Sequence, residues 1–222
     1  MSRTASFLVF DTETTGLPTA RGRPAEDVDV WPRVVQLGWG LFDDEGVEIE
    51  LHAPVIRPHG FVIPADAARV HGITTALALK QGMELRQALT DFVGSVRTAR
   101  VLVAHNLEFD RNVVRAEIIR LGLDDPLRGA KGVCTQRGST DFCAIPGNYG
   151  FKWPTLAELH SRLFGGPHIE AHEAAVDLRA CARCFFELRR LILGPQRSGL
   201  IAQECLRFYQ RQDLFAKKVD LL

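Results

Sequence analysis

No window of this chain approaches the apolar length needed to span a bilayer, so an integral helical membrane protein is not expected. Near the start, Arg3 is followed by only a short apolar stretch, which Asp11 and Glu13 interrupt; that is not the layout of a secretory signal, and a cytoplasmic protein is expected. Cysteine is sparse and odd in number, five in all, which sets aside a disulfide scaffold. Cys181-Ala182-Arg183-Cys184 is a CxxC without a second pair, and Cys134 and Cys143 stand nine residues apart, so four zinc ligands are not in place. Reduced thiols on a helix are the better reading. Net charge is lacking too: 27 Lys and Arg balance 27 Asp and Glu. There is no global field to draw in a polyanion, and a nucleic-acid partner would have to be held over a short footprint by local positive charge. Internal repeats and low-complexity segments are absent. The 222 residues suffice for one large domain, or a domain with an appendage.

What the chain does have is concentrated in Ser6-Phe7-Leu8-Val9-Phe10-Asp11-Thr12-Glu13-Thr14-Thr15-Gly16. A run of β-forming apolar residues ends in two carboxylates one residue apart. Side chains two apart on a strand share a face, so Asp11 and Glu13 project together from its end. Two anions held side by side repel, and burying them unpaired is costly. A divalent cation resolves both problems, and oxygen-only ligands suit Mg²⁺ or Mn²⁺.

Around that stretch the periodicities predict an α/β domain with a mixed sheet. Residues 6–11 read as a central strand, 17–33 as a long proline-broken loop, 33–42 and 47–56 as two strands of a meander. A short helix opens at Pro64, and His71-Gly72-Ile73-Thr74 ends it. Helices follow at 83–97 and 107–121, separated by the short buried strand Val101–Ala104. A strand near 133–135 is expected at the sheet edge, and residues 137–153 read as irregular. Thr155, with Glu158 three residues on, predicts a capped helix to Phe164, and a last helix covers 171–193. Gly194-Pro195 marks a boundary between a domain at 1–193 and a helical extension at 194–222.

Further acids stand at strand-to-helix junctions. Asp110 lies one turn into the helix that leaves the buried strand, where the helix dipole tolerates an anion. Asp177 lies between Val176 and Leu178 on an apolar helix, a costly place unless it faces solvent or a ligand. His172 is five residues before Asp177, so the two share a site only if His172 stands at or before the helix start. Taken together, carboxylates from a strand end and a helix can hold two Mg²⁺ about 4 Å apart, the arrangement for phosphoryl displacement. A histidine of near-neutral pKa can take a proton from the attacking water.

Asp11-Thr12-Glu13-Thr14-Thr15-Gly16, then Ala104-His105-Asn106 with Phe109-Asp110, then His172 with Asp177, resemble in order the three motifs of the DEDDh family of 3′–5′ exonucleases. The resemblance implies an RNase H-like fold with a five-stranded mixed sheet. It implies that Asp11, Glu13 and Asp177 bind a first Mg²⁺, and that Asp11, aided by Asp110, reaches a second, with Mn²⁺ able to substitute. His172 would be the general base. Thr14, Thr15 and Gly16 would hold the terminal nucleotide, Leu17 would wedge against the last bases, and Asn106 and Phe109 would support the substrate side. The expected substrate is the 3′ end of single-stranded DNA, with RNA as the alternative and a non-catalytic binding module as a third reading. Trp31, Tyr149 and Trp153 could stack on bases, although packing is the more usual role of aromatics. The extension could dock on the domain, on a second copy or on a polymerase.

Overall fold

The computed structural model describes residues 3–166 and 174–193; the C-terminal extension expected at 194–222 lies outside them. At its centre is a five-stranded sheet. The strands are β1 (Phe7–Thr14), β2 (Val34–Phe42), β3 (Glu48–His52), β4 (Val101–Ala104) and β5 (Gly132–Cys134), in the order β3-β2-β1-β4-β5. β1, β2 and β3 form the antiparallel meander, while β4 and β5 continue the sheet parallel to β1. The mixed sheet expected from the sequence is therefore present.

Helices cover both faces. On one side, Leu8 and Phe10 of β1 meet α3 (Leu85–Thr98) and α4 (Leu107–Arg120), with Phe10, Trp39 and Phe92 forming an aromatic centre. On the other, Phe7 and Val9 meet Leu178, Cys181 and Phe185 of the long helix at Ala174–Leu193. The alternation along β1 thus assigns even positions to one layer and odd positions to the other. Between β3 and α3, α1 (Ala65–His71) stops at Gly72, whose φ of 75° is a left-handed conformation suited to glycine. Thr74 then caps α2 (Thr75–Gln81) by accepting the Leu77 N–H.

Several boundaries differ from the sequence expectation. β1 does not end at Asp11 but continues to Thr14, because β2 pairs with it throughout that length. The third strand stops at His52; Val55 and Ile56 make only isolated bridges, to Gln36 and Met83. Residues 137–153 are not irregular. They hold two single-turn helices, α5 (Thr135–Gly138) and α6 (Thr140–Cys143), and a small hairpin of β6 (Pro146–Gly147) and β7 (Gly150–Phe151). α7 (Leu156–Phe164) starts with the expected capping box between Thr155 and Glu158, and α8 is the helix at Ala174–Leu193. The loop after β1 is pinned rather than loose. Trp31 is buried and donates its indole N–H to the Pro24 carbonyl at 2.9 Å, and Arg120 donates to the Val28 and Trp31 carbonyls.

α4 holds the sheet through two buried acids seven residues apart, a spacing that keeps both on one helix face. The second, Glu117, is fully buried and accepts both the Val34 N–H at 3.1 Å and the Arg33 Nε–H at 2.8 Å. It fixes the start of β2 to the helix. Glu117→Ala leaves an amide and a guanidinium without their acceptor and should cost about 3 kcal/mol in urea unfolding. Glu117→Gln keeps an acceptor for Val34 and should cost clearly less.

Candidate active site

β1 outruns its parallel neighbour. β4 pairs only with Phe7–Val9, because the chain leaves β4 at His105-Asn106 to enter α4. Beyond that point the Thr12 N–H has no strand to bond. The Asp110 carboxylate takes the place of one: its Oδ1 accepts the Thr12 N–H at 3.1 Å and the Thr12 hydroxyl at 2.8 Å. Asp110 is consequently almost completely buried. Asp11 and Glu13, being odd, lie on the α8 layer, where Asp177 occupies the first turn of that helix.

α8 can come this close because β2 lacks side chains where the helix crosses it. Gly38 is the register partner of Asp11, and a Cβ there would stand 3.0 Å from the Ala174 Cβ. Gly40, opposite Val9, would put a Cβ 3.3 Å from Leu178. Glycine inside a strand marks such a close approach.

The four carboxylates share one electric field. Burial pushes Asp11 well above the usual carboxylate range, and the charges of Asp110 and Asp177 push it further. Burial likewise raises Glu13 to about 8, with Asp11 and Asp177 adding to the shift. Asp110 is raised to about 7 by burial, against the opposing pull of its Thr12 hydrogen bonds. Among the described residues, no three His, Cys, Asp or Glu side chains yet form a metal-binding group. The donor set nevertheless fits a hard divalent cation: clustered, desolvated and oxygen-only.

The other residues singled out from the sequence fall around this centre. Thr15 is held at both ends to Arg33, donating its N–H to the carbonyl at 2.9 Å and accepting the Arg33 N–H on its hydroxyl at 3.0 Å. The Thr14 hydroxyl donates to the Gly16 carbonyl at 2.7 Å, forming a tight turn in which Gly16 has φ of 145°. Leu17 projects from that turn, 82 % exposed. Asn106 precedes α4 but makes no side-chain cap with it. Phe109 packs on Trp31, with ring centroids 6.4 Å apart. His172 lies outside the described residues.

Four residues were given no role of their own in the sequence reading. Thr12 and the glycines at 38 and 40 are described above; the signal for the glycines was their position inside an apolar strand. The fourth is His105. Its Nε2 donates to the Pro154 carbonyl at 3.0 Å, which leaves Nδ1 to accept from the Thr135 hydroxyl at 3.0 Å. Burial drives its pKa down to about 4, partly offset by the bond to Pro154. It is a neutral brace between the start of α4 and the start of α7.

A family model described as Exonuclease matches residues 8–185. DNA polymerase III subunit epsilon of Treponema pallidum (strain Nichols) is 30 % identical over 180 residues, covering 81 % of this chain and 74 % of that protein. DNA polymerase III PolC-type of Mycoplasmopsis pulmonis is 31 % identical over 113 residues, 51 % of this chain and 7 % of that one. Among solved structures, E. coli Exonuclease I in complex with a dT13 oligonucleotide superposes with a TM-score of 0.66 over 84 % of this chain at 20 % identity. This chain spans 41 % of that one. Exonuclease I from Methylocaldum szegediense gives 0.62 over 86 % of this chain and 41 % of its own, also at 20 % identity. These matches carry the RNase H-like fold.

Two outcomes follow from the site's geometry. A raised carboxylate pKa means that the folded state binds the proton more tightly than the unfolded one. The resulting stability is full below about pH 4 and is lost as pH rises toward the folded value. In EDTA, Glu13→Gln should match the parent's melting temperature near pH 4 and exceed it by roughly 2–6 °C above about pH 8, on the order of 1–2 kcal/mol. Added Mg²⁺ should raise the parent and not the variant. Gly38→Val should displace the start of α8 and cut activity by about 100-fold while the protein still melts cooperatively; steady-state rates and calorimetry check both.

Proposed function

Since the chain belongs to the exonuclease family and is a DEDDh-type 3′–5′ enzyme acting on nucleic acids, we propose that its substrate is the 3′ end of single-stranded DNA. The products are nucleoside 5′-monophosphates and a strand one nucleotide shorter. The observation that carries this reading is the convergence of Asp11 and Glu13 on one face at the end of β1 with Asp110, which Thr12 holds beside them, an oxygen donor set whose charges raise one another's pKa values. Single-stranded DNA is favoured by the fold shared with E. coli Exonuclease I, which has been solved with dT13. It also suits a chain without net charge, which must rely on a short footprint.

Asp11, Glu13 and Asp177 would hold one Mg²⁺, and Asp11, with Asp110, a second. When bound, the two ions supply charge neutralisation at the scissile phosphate and make water a competent nucleophile near neutral pH. The chain's own groups do the rest. His172 takes the proton of the attacking water as the new P–O bond forms and the bond to the 3′ oxygen breaks; solvent reprotonates that oxygen. Thr12 keeps Asp110 aimed at the site. The Thr14–Gly16 turn receives the terminal nucleotide, Leu17 presses on its base, and Asn106 has a side chain to spare for the sugar or phosphate.

With Mg²⁺ or Mn²⁺, the parent should shorten a 5′-labelled DNA strand one nucleotide at a time. Asp11→Ala should lower that rate by at least about 1000-fold, and EDTA should abolish it. Undiminished digestion by the variant overturns the assignment, and faster digestion of a matched RNA moves the substrate to RNA.

A further inference from the structure

Every exposed Phe, Trp or Tyr among the described residues lies in one short stretch: Tyr149 at 104 %, Phe151 at 53 % and Trp153 at 54 % exposure. Tyr149 crowns the turn between β6 and β7, Phe151 ends β7, and Trp153 follows two residues on, the spacing of one face where the chain stays extended. The stretch is held in place. The Lys152 N–H donates to the Ile145 carbonyl at 2.9 Å, and the Lys152 ammonium bonds Glu158 at 2.6 Å. The Arg137 guanidinium lies over the Trp153 ring, 4.8 Å from its centroid, and bonds Glu108 in the first turn of α4.

A hydrogen bond ties this stretch to the segment that leads into the active site. Pro154, next to Trp153, is the residue whose carbonyl receives the His105 N–H, and His105 immediately precedes Asn106 and the helix that carries Asp110. Three π faces are therefore fixed to the same helix start as a catalytic carboxylate. Flat aromatics beside a guanidinium, tied to the start of the helix that carries Asp110, match unstacked bases, and base–aromatic stacking tolerates any sequence.

We propose that Tyr149, Phe151 and Trp153 form a stacking platform for bases upstream of the 3′ end, binding the single strand while its terminus is cut. The inference rests on the nuclease reading for its choice of ligand, and it concerns strand binding rather than hydrolysis. Lys152 and Arg137 flank the platform but already have carboxylate partners, so the bases supply most of the recognition.

Tryptophan fluorescence gives a direct readout. The chain has three tryptophans, and Trp31 and Trp39 are buried at 8 % and 1 % exposure. In EDTA, where no strand is consumed, titration with an oligothymidylate should quench the parent's emission, and Trp153→Phe should remove that quench. By fluorescence anisotropy, the double variant Tyr149→Ala, Phe151→Ala should bind the oligonucleotide at least about tenfold more weakly. It should lose far less on a strand whose upstream positions are abasic. Both changes are on exposed side chains, so folding should be unaffected. The same variant should hydrolyse the p-nitrophenyl ester of thymidine 5′-monophosphate, which has no upstream bases, at the parental rate. Parental affinity in the double variant overturns the platform, as does an equal loss on the abasic strand or a quench that survives Trp153→Phe. If the parent cleaves neither substrate with Mn²⁺, the nuclease reading fails, and the quench and anisotropy still judge the platform alone.

Discussion

One hydrogen-bonded carboxylate sets up this molecule. β4 ends where β1 still has a backbone amide to satisfy, and an unpaired buried amide costs about 1–3 kcal/mol. Asp110 satisfies the Thr12 amide and hydroxyl together. Doing so takes its own charge out of water, beside Asp11 and Glu13, and the same contact that completes the sheet concentrates negative charge at its open end. Fold and site are thus coupled at a single atom, Oδ1.

Several ionisable neighbours among the described residues leave that field in place. His105 is close in sequence and ionisable, but its two ring nitrogens are already engaged and burial keeps it neutral. Cys181, on the inner face of α8, is fully buried, and both desolvation and the nearby carboxylates hold its thiol protonated. The arginines form ion pairs away from the site: Arg33 with Glu117, Arg115 with Asp125 and Glu26, Arg179 with Glu48. Positive charge brought by bound ions would answer that field.

Much of this was legible from residue order. Strict alternation put Asp11 and Glu13 on one face, and they do share the α8 layer. Local chemistry placed the Thr155 cap correctly, because capping depends on a few neighbouring residues. Features that depend on distant partners were not legible. β1 runs on to Thr14 because β2 is there to pair with it, which no local pattern in the Asp-Thr-Glu-Thr run reveals. The helices at 135–143 are single turns, too short for a period to show. The loop at 18–33 reads as polar and broken, yet Trp31 and Ala25 are buried in it, secured by arginines some 90 positions away. Trp31 and Trp153 look alike as isolated aromatics; only the fold sends one to the core and the other to the surface.

The two inward acids of α4 make that helix a ruler. Asp110 meets β1 and Glu117 meets β2, and the distance between the strands is set by sheet geometry, not by the helix. Adding or deleting one residue between them would swing one carboxylate by about 100° around the axis. It would then miss its strand by most of a helix diameter. Surface substitutions along α4 can accumulate freely, but its length between these points is frozen, so relatives of this chain should vary in their loops and never in the count of residues from the second motif's aspartate to this glutamate.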